Sequence, residues 1–302
     1  MKKIPTIDIS PALTGDLEGE KYVAMDIDKA CREYGFFIIK GHGIDDAVFQ
    51  QAIGHSKEFF NLPLDEKNKY RSQSGSTLPE DPYTPYGYSA LLEENAYAYM
   101  GEKDKPNDYV EKISAGKLIL QDDFPLPFLQ NATGHQLRHS LKEYFKACEK
   151  VSEIVLKLFT VALNWPRDFF DEKIGQSNDS LRSQLYPKYS EDLENNQGMG
   201  KHTDGTLITM VCQTAPGIKV KSLEGDWMLP DTEDVSHFLV NIGDLMSHWT
   251  NKEYLSTEHQ VVLREKERQS IIFFKLTNED ILVEFGNQQM DALFGREEAP
   301  TL

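Results

Sequence analysis

Two short stretches hold residue types from which a metal site could be built: Lys201-His202-Thr203-Asp204-Gly205 and, downstream, Ser256-Thr257-Glu258-His259. In an extended strand the side chains of residues i and i+2 leave the same face. His202 and Asp204 are therefore expected to point the same way and to hold one ion from two corners. His259 is the candidate for a third ligand. Two imidazoles and one carboxylate on one face, with further positions open, form the ligand set of mononuclear non-haem Fe(II) centres that work on O2. A lone His-x-Asp is a weak signal in a chain with eight His, and its plain reading is a solvated strand end with one ionic pair.

A second constellation strengthens the first. Between His259 and Arg268 the chain is apolar and β-branched, then charged, and Arg268-Gln269-Ser270 leads into Ile271-Ile272-Phe273-Phe274. This pattern predicts a hairpin turning near Glu265 and Lys266. With a two-residue turn, Leu263 faces Arg268, Val261 faces Ser270 and His259 faces Ile272, which puts His259, Arg268 and Ser270 on one side of one sheet. A guanidinium beside a hydroxyl grips a carboxylate bidentately. Next to an iron site, that grip suits the far carboxylate of a chelating 2-oxo acid.

Taken together, His202-x-Asp204, His259 and Arg268-x-Ser270 resemble the isopenicillin N synthase-like, plant-type 2-oxoglutarate/Fe(II) dioxygenases. The resemblance runs along nearly the whole chain. It includes Ile4-Pro5-Thr6-Ile7-Asp8, the segment from Tyr34 to Ile44, Leu181 to Pro187, and the block from Val240 through Asn251 to His259. It implies Fe(II) on His202, Asp204 and His259, with O2 and 2-oxoglutarate as co-substrates. It also implies that Tyr186 joins Arg268 and Ser270 on the distal carboxylate of 2-oxoglutarate. Gln184 stands where most relatives have Asn, and the Gly-Tyr element after the loop makes Tyr88 the expected substrate-side wall, ahead of Tyr83 and Tyr86. Lys112, on a strand that faces substrate in relatives, is a candidate partner for a substrate carboxylate, with a solvated strand lysine as the plain alternative.

The remaining sequence must position these groups. The chain of 302 residues is long enough for one large core. Its net charge of −17 argues against nucleic-acid or anionic-membrane partners. Cys31, Cys148 and Cys212 have no metal-type spacing and read as buried free thiols of a reducing compartment. No apolar signal core and no run of about eighteen apolar residues is found, so a soluble, cytoplasmic protein, monomeric by default, is expected. Apolar stripes predict helices over Glu20–Tyr34, Asp45–Asn61 and His135–Asn164, and a short C-terminal helix around Met290, Leu293 and Phe294. From Leu181 onwards short β segments dominate.

The expected fold class is α+β with a mainly β core: a double-stranded β-helix, or jelly roll, flanked by helices, with an N-terminal α/β segment. Residues 1–120 would form that segment and 121–302 the helix plus catalytic core, packed as one unit. The resemblance implies oxidation of a C–H bond in a small-molecule metabolite, with hydroxylation, desaturation and cyclisation all open. A carboxylate-bearing, amino-acid-derived compound of specialised metabolism is expected. Three alternatives stand beside it: an isopenicillin N synthase-like or aminocyclopropane-carboxylate-oxidase-like oxidase that needs no 2-oxoglutarate, a Zn(II) hydrolase on the same ligands, and a non-catalytic binding protein.

Overall fold

The computed structural model describes residues 3–71, 86–102, 104–121, 131–232 and 234–281. Tyr83 and the C-terminal helix expected around Met290 lie outside the described residues.

Among the described residues, twelve strands form two sheets. In chain order they are β1 (Thr6–Asp8), β2 (Phe36–Lys40), β3 (Gly87–Ser89), β4 (Glu111–Gly116), β5 (Ser180–Tyr186) and β6 (Gln197–His202). They continue with β7 (Ile208–Gln213), β8 (Ile218–Lys221), β9 (Trp227–Met228), β10 (Phe238–Ile242), β11 (His259–Val262) and β12 (Arg268–Lys275). The large sheet runs β1-β2-β10-β7-β12-β5-β4-β3 and the small one β6-β11-β8-β9. Strands from both halves of the chain interleave in the large sheet: β2 pairs with β10, and β4 with β5.

Alternation along β12 decides what faces what. Ile271 and Phe273 turn to the helical side and are fully buried in the main core. Arg268, Ser270, Ile272 and Phe274 turn the other way and line a cavity between the sheets. The helix Ala132–Ala162 covers the back of the large sheet: the Tyr144 hydroxyl donates to Ile271 O at 3.2 Å, and Phe145 meets Phe273 edge-on at 5.1 Å. Its start is capped by Asn131, whose side chain accepts from Gly134 N. The helices Leu17–Glu33 and Asp46–Phe60 pack against it. Gly35, at φ +65°, ends the first of these; a Cβ there would lie 2.1 Å from Leu255 O, so only glycine permits this approach.

The predicted hairpin is corrected by the sheet pairing. β11 bonds to β6 and β8 in the small sheet, whereas β12 bonds to β5 and β7 in the large one. The charged stretch Arg264 to Glu267 carries the chain from one sheet to the other instead of folding it back. Apolar alternation marks each segment as a strand but does not say which edge it joins. His259 and Arg268 therefore meet across the cavity, from opposite walls.

Candidate metal centre and anion anchor

His202 is the last residue of β6 and His259 the first of β11, and the two are paired directly in the small sheet. Asp204 follows just beyond the strand end. His202 Nε2 lies 3.7 Å from Asp204 Oδ1, and His259 Nε2 lies 3.8 Å from Asp204 Oδ2. The three ligand atoms are all within 4.8 Å of one another. Each ring is fixed from behind: His202 Nδ1 donates to Gly200 O at 2.7 Å and His259 Nδ1 to Thr257 O at 3.1 Å. That tautomer leaves both Nε2 lone pairs aimed at the carboxylate, at separations too long for hydrogen bonds. Three acceptors converging without a proton between them fit a divalent cation.

The electrostatics agree. Burial, then the neighbouring His259, pushes the His202 imidazolium down to about 4, so the ring stands neutral and ready to ligate. Burial alone would raise the Asp204 carboxyl, but the two imidazoles and Asn241 more than offset this and hold it below the usual range. Asn241, near the end of β10, donates its side-chain amide to Asp204 Oδ2 at 2.8 Å. The Phe36 ring stands edge-on to His259 at 5.4 Å.

Arg268 is only 3% exposed and has no carboxylate partner among the described residues. Its guanidinium lies over the Tyr186 ring at 4.9 Å and donates to Gln213 Oε1 at 2.8 Å and to Ala215 O at 3.0 Å. A longer contact of 3.4 Å reaches Ser270 Oγ. Gly217 makes room for it, since a Cβ there would come within 2.7 Å of Arg268 Cδ. β12 pairs with β5 so that Arg268 is opposite Tyr186 and Ser270 opposite Gln184. The Tyr186 hydroxyl donates to Gln184 Oε1 at 2.7 Å, and burial pushes its pKa up to about 12. Gln184 Nε2 and Gln213 Nε2 are buried donors with no partner among the described residues. A buried cation without a counter-charge, beside orphaned amide donors, is costly unless an anion joins it. The carboxylate of 2-oxoglutarate fits that need.

His202, Asp204, His259, Arg268, Ser270, Tyr186 and Gln184 share one cavity of about 340 Å³ between the sheets, with Phe36, Val211 and Ile272 among its apolar walls. The expected substrate residues are placed differently. Tyr88 is not in the cavity wall: its hydroxyl donates to Glu111 Oε2 at 2.7 Å, and its ring packs on Phe59 in the core. Tyr86 packs against Gly116, with its hydroxyl on Asn178. Lys112 is 5% exposed and paired with Glu94 at 2.8 Å, and it is Glu94 that reaches the cavity. Glu94, Asp108, Arg182 and Asn241 all line the cavity; Glu94, Asp108 and Asn241 were not among the candidates read from the sequence.

The family follows from comparison with known proteins. Residues 4–146 match the model described as the N-terminal region of non-haem dioxygenases in morphine synthesis, and residues 177–277 match the 2OG-Fe(II) oxygenase superfamily. The chain is 30% identical over 303 residues to a homoarginine-6-hydroxylase of Arabidopsis thaliana, covering 94% of this chain and 87% of that protein. It is 27% identical to isopenicillin N synthase of Streptomyces griseus, covering 90% and 83%. A Neurospora crassa protein solved in complex with alpha-KG, which is 2-oxoglutarate, superposes with a TM-score of 0.79 at 26% identity, covering 92% of this chain and 86% of that one. The chain belongs to the 2OG-Fe(II) oxygenase superfamily and is a non-haem Fe(II)/2-oxoglutarate-dependent dioxygenase with the jelly-roll core of that family.

Proposed function

We propose that this chain binds Fe(II) through His202, Asp204 and His259, anchors 2-oxoglutarate through Arg268, Ser270 and Tyr186, and oxidises a C–H bond of a small carboxylate-bearing, amino-acid-derived metabolite in specialised metabolism. The observation that carries this reading is the buried, uncompensated Arg268 guanidinium in the same cavity as the convergent His-Asp-His set.

The chemistry that metal and co-substrate supply together is oxidative decarboxylation, in which O2 and 2-oxoglutarate become succinate and CO2 as the substrate C–H is oxidised. The chain's own residues set the conditions. Neutral His202 and ionised Asp204 stand ready as ligands, and Asn241 holds the carboxylate in one orientation. Arg268 and Ser270 would hold a carboxylate of the co-substrate, and Phe36, Val211 and Ile272 give the cavity an apolar wall.

The relative named for homoarginine hydroxylation gives a precedent for an amino-acid substrate. Every proposed ligand comes from one chain, so a monomer suffices, and three buried free thiols support a cytoplasmic location. Among the described residues no helix is long and apolar enough to cross a membrane. A second reading, favoured by the likeness to isopenicillin N synthase, is an oxidase in which Arg268 and Ser270 hold the substrate itself. Succinate formed in step with substrate consumption supports the first reading, and substrate oxidation without 2-oxoglutarate supports the second.

A further inference from the structure

Part of the cavity wall is charged in a way that 2-oxoglutarate does not use. Arg182 sits four residues along β5 from Tyr186, roughly 13 Å further down the strand at about 3.3 Å per residue. Its guanidinium lies over the Phe274 ring at 4.9 Å, lines the cavity, and has no carboxylate partner among the described residues. On the neighbouring strand, Lys112 is opposite Gln184 and Ser114 is opposite Arg182, which makes Lys112 and Arg182 diagonal neighbours on the same face. Lys112 is compensated by Glu94 at 2.8 Å, with side chains 6% and 15% exposed. Lys112 takes the direct contact with Glu94, and Arg182, which influences that carboxylate only at longer range, is left unpaired among the described residues.

Glu94 is held in place from two sides. Its main-chain oxygen accepts from Asp108 N at 2.8 Å, and Asp108 in turn accepts from Ala96 N at 2.7 Å and from Gly200 N at 2.8 Å. The loop carrying Glu94 is thereby bolted to β6, the strand that ends in His202. A carboxylate offers about four acceptor positions; Lys112 takes one on Glu94 at 2.8 Å, and the group still faces the cavity.

We propose that Arg182 and Glu94 form a two-point substrate subsite for a zwitterion. Arg182 takes the substrate carboxylate, Glu94 takes its ammonium or guanidinium group, and Lys112 is a positioning residue that keeps Glu94 ionised and fixed. Phe274 floors the carboxylate side. The ligand class is a free α-amino acid or a close analogue bearing both charges. This inference rests on the oxygenase reading above and narrows its substrate.

The test uses the Fe(II)-loaded protein with 2-oxoglutarate and measures succinate. The probes are basic and neutral L-amino acids including L-homoarginine, their N-acetyl derivatives, the corresponding decarboxylated amines, and uncharged pyrimidines and terpenoids. Stimulation confined to compounds carrying both charges is expected. Arg182→Leu should raise the KM for the stimulating compound at least about tenfold, the loss of one charge-assisted contact, with the KM for 2-oxoglutarate unchanged. Because Glu94→Gln alone would strand a buried ammonium, the double variant Glu94→Gln/Lys112→Met is the companion; it should weaken the zwitterion and spare its N-acetyl derivative. Stimulation by none of the zwitterions, equal stimulation by uncharged compounds, or unchanged KM in both variants overturns the subsite. Failure of the underlying oxygenase reading shows separately, as loss of the anaerobic Fe(II)–2-oxoglutarate absorption band.

Discussion

The Asn241 amide donates to Asp204 Oδ2 at 2.8 Å, while Asp204 Oδ1 faces His202 Nε2 at 3.7 Å. A large-sheet strand thus aims the carboxylate, and a small-sheet strand supplies the first imidazole. The candidate metal site depends on the two sheets staying in register across the cavity. Asn241→Ala frees the carboxylate to rotate and should lower divalent-metal affinity about 10–100-fold, the usual cost of losing an orienting partner. Competition with a chromophoric chelator measures this; an unchanged affinity would mean that the backbone alone positions Asp204.

Titration of His202 sets a pH dependence in the metal-free protein. Burial depresses its folded pKa to about 4, below the ordinary 6.5. Between these values the unfolded chain binds a proton that the folded chain does not. Stability is therefore full above about pH 6.5 and falls as pH drops towards about 4, by at most about 3 kcal/mol for this residue. His202→Asn should flatten the slope of Tm against pH in that window. An identical slope in the variant would contradict the assignment.

The loop that carries Glu94 is seated on the metal strand through Gly200, where a Cβ would come within 2.4 Å of the Tyr97 ring. Gly200→Ala must push the short helix Ala96–Tyr99 outward. A loss of roughly 1–3 kcal/mol is expected from overpacking. Thermal unfolding should show it, together with faster hydrogen exchange at Ala96 and Gly200. No change in either would mean that the loop moves aside freely.

Away from the cavity, Lys275 and Asp179 form a pair with side chains only 2% and 0% exposed, 2.8 Å apart. Asp179 also accepts from Leu276 N at 2.8 Å. Lys275→Met strands a buried carboxylate and should cost about 3–5 kcal/mol, whereas Lys275→Met/Asp179→Asn should recover part of the loss. Equal destabilisation by single and double variants would show that packing, not charge, is responsible.

Much of the site was legible because its chemistry demands rare combinations. His202-x-Asp204, His259 and Arg268-x-Ser270 have the residue types and spacing of a candidate cation site and a candidate anion site, and the structure brings all five around one cavity. The route to that result was not legible. Pattern alone folded β11 onto β12, whereas long-range pairing sends them to opposite sheets. The partners that orient and compensate were hidden too. Asn241 looks like any strand-end asparagine. Glu93 and Glu94 are adjacent acids in one loop, yet Glu93 turns out to Arg71 and Glu94 turns in to Lys112. A strand's alternation is visible in sequence; a loop's inside and outside depend on what packs beneath it. Tyr88 was expected on the cavity wall, whereas its hydroxyl is taken by Glu111 and its ring packs on Phe59.

Joint binding of Fe(II) and 2-oxoglutarate in this cavity can be read anaerobically. Fe(II) is added to the metal-free protein, followed by 2-oxoglutarate, and the weak visible charge-transfer band of the chelate is titrated in the natural chain and in Arg268→Ala. A band is expected in the natural chain, with a 2-oxoglutarate requirement raised at least about tenfold in the variant as the charge-assisted anchor is lost and Fe(II) affinity unchanged. Iron bound without any band, or a band that titrates identically in both proteins, would contradict this anchor and reassign Arg268 to the substrate.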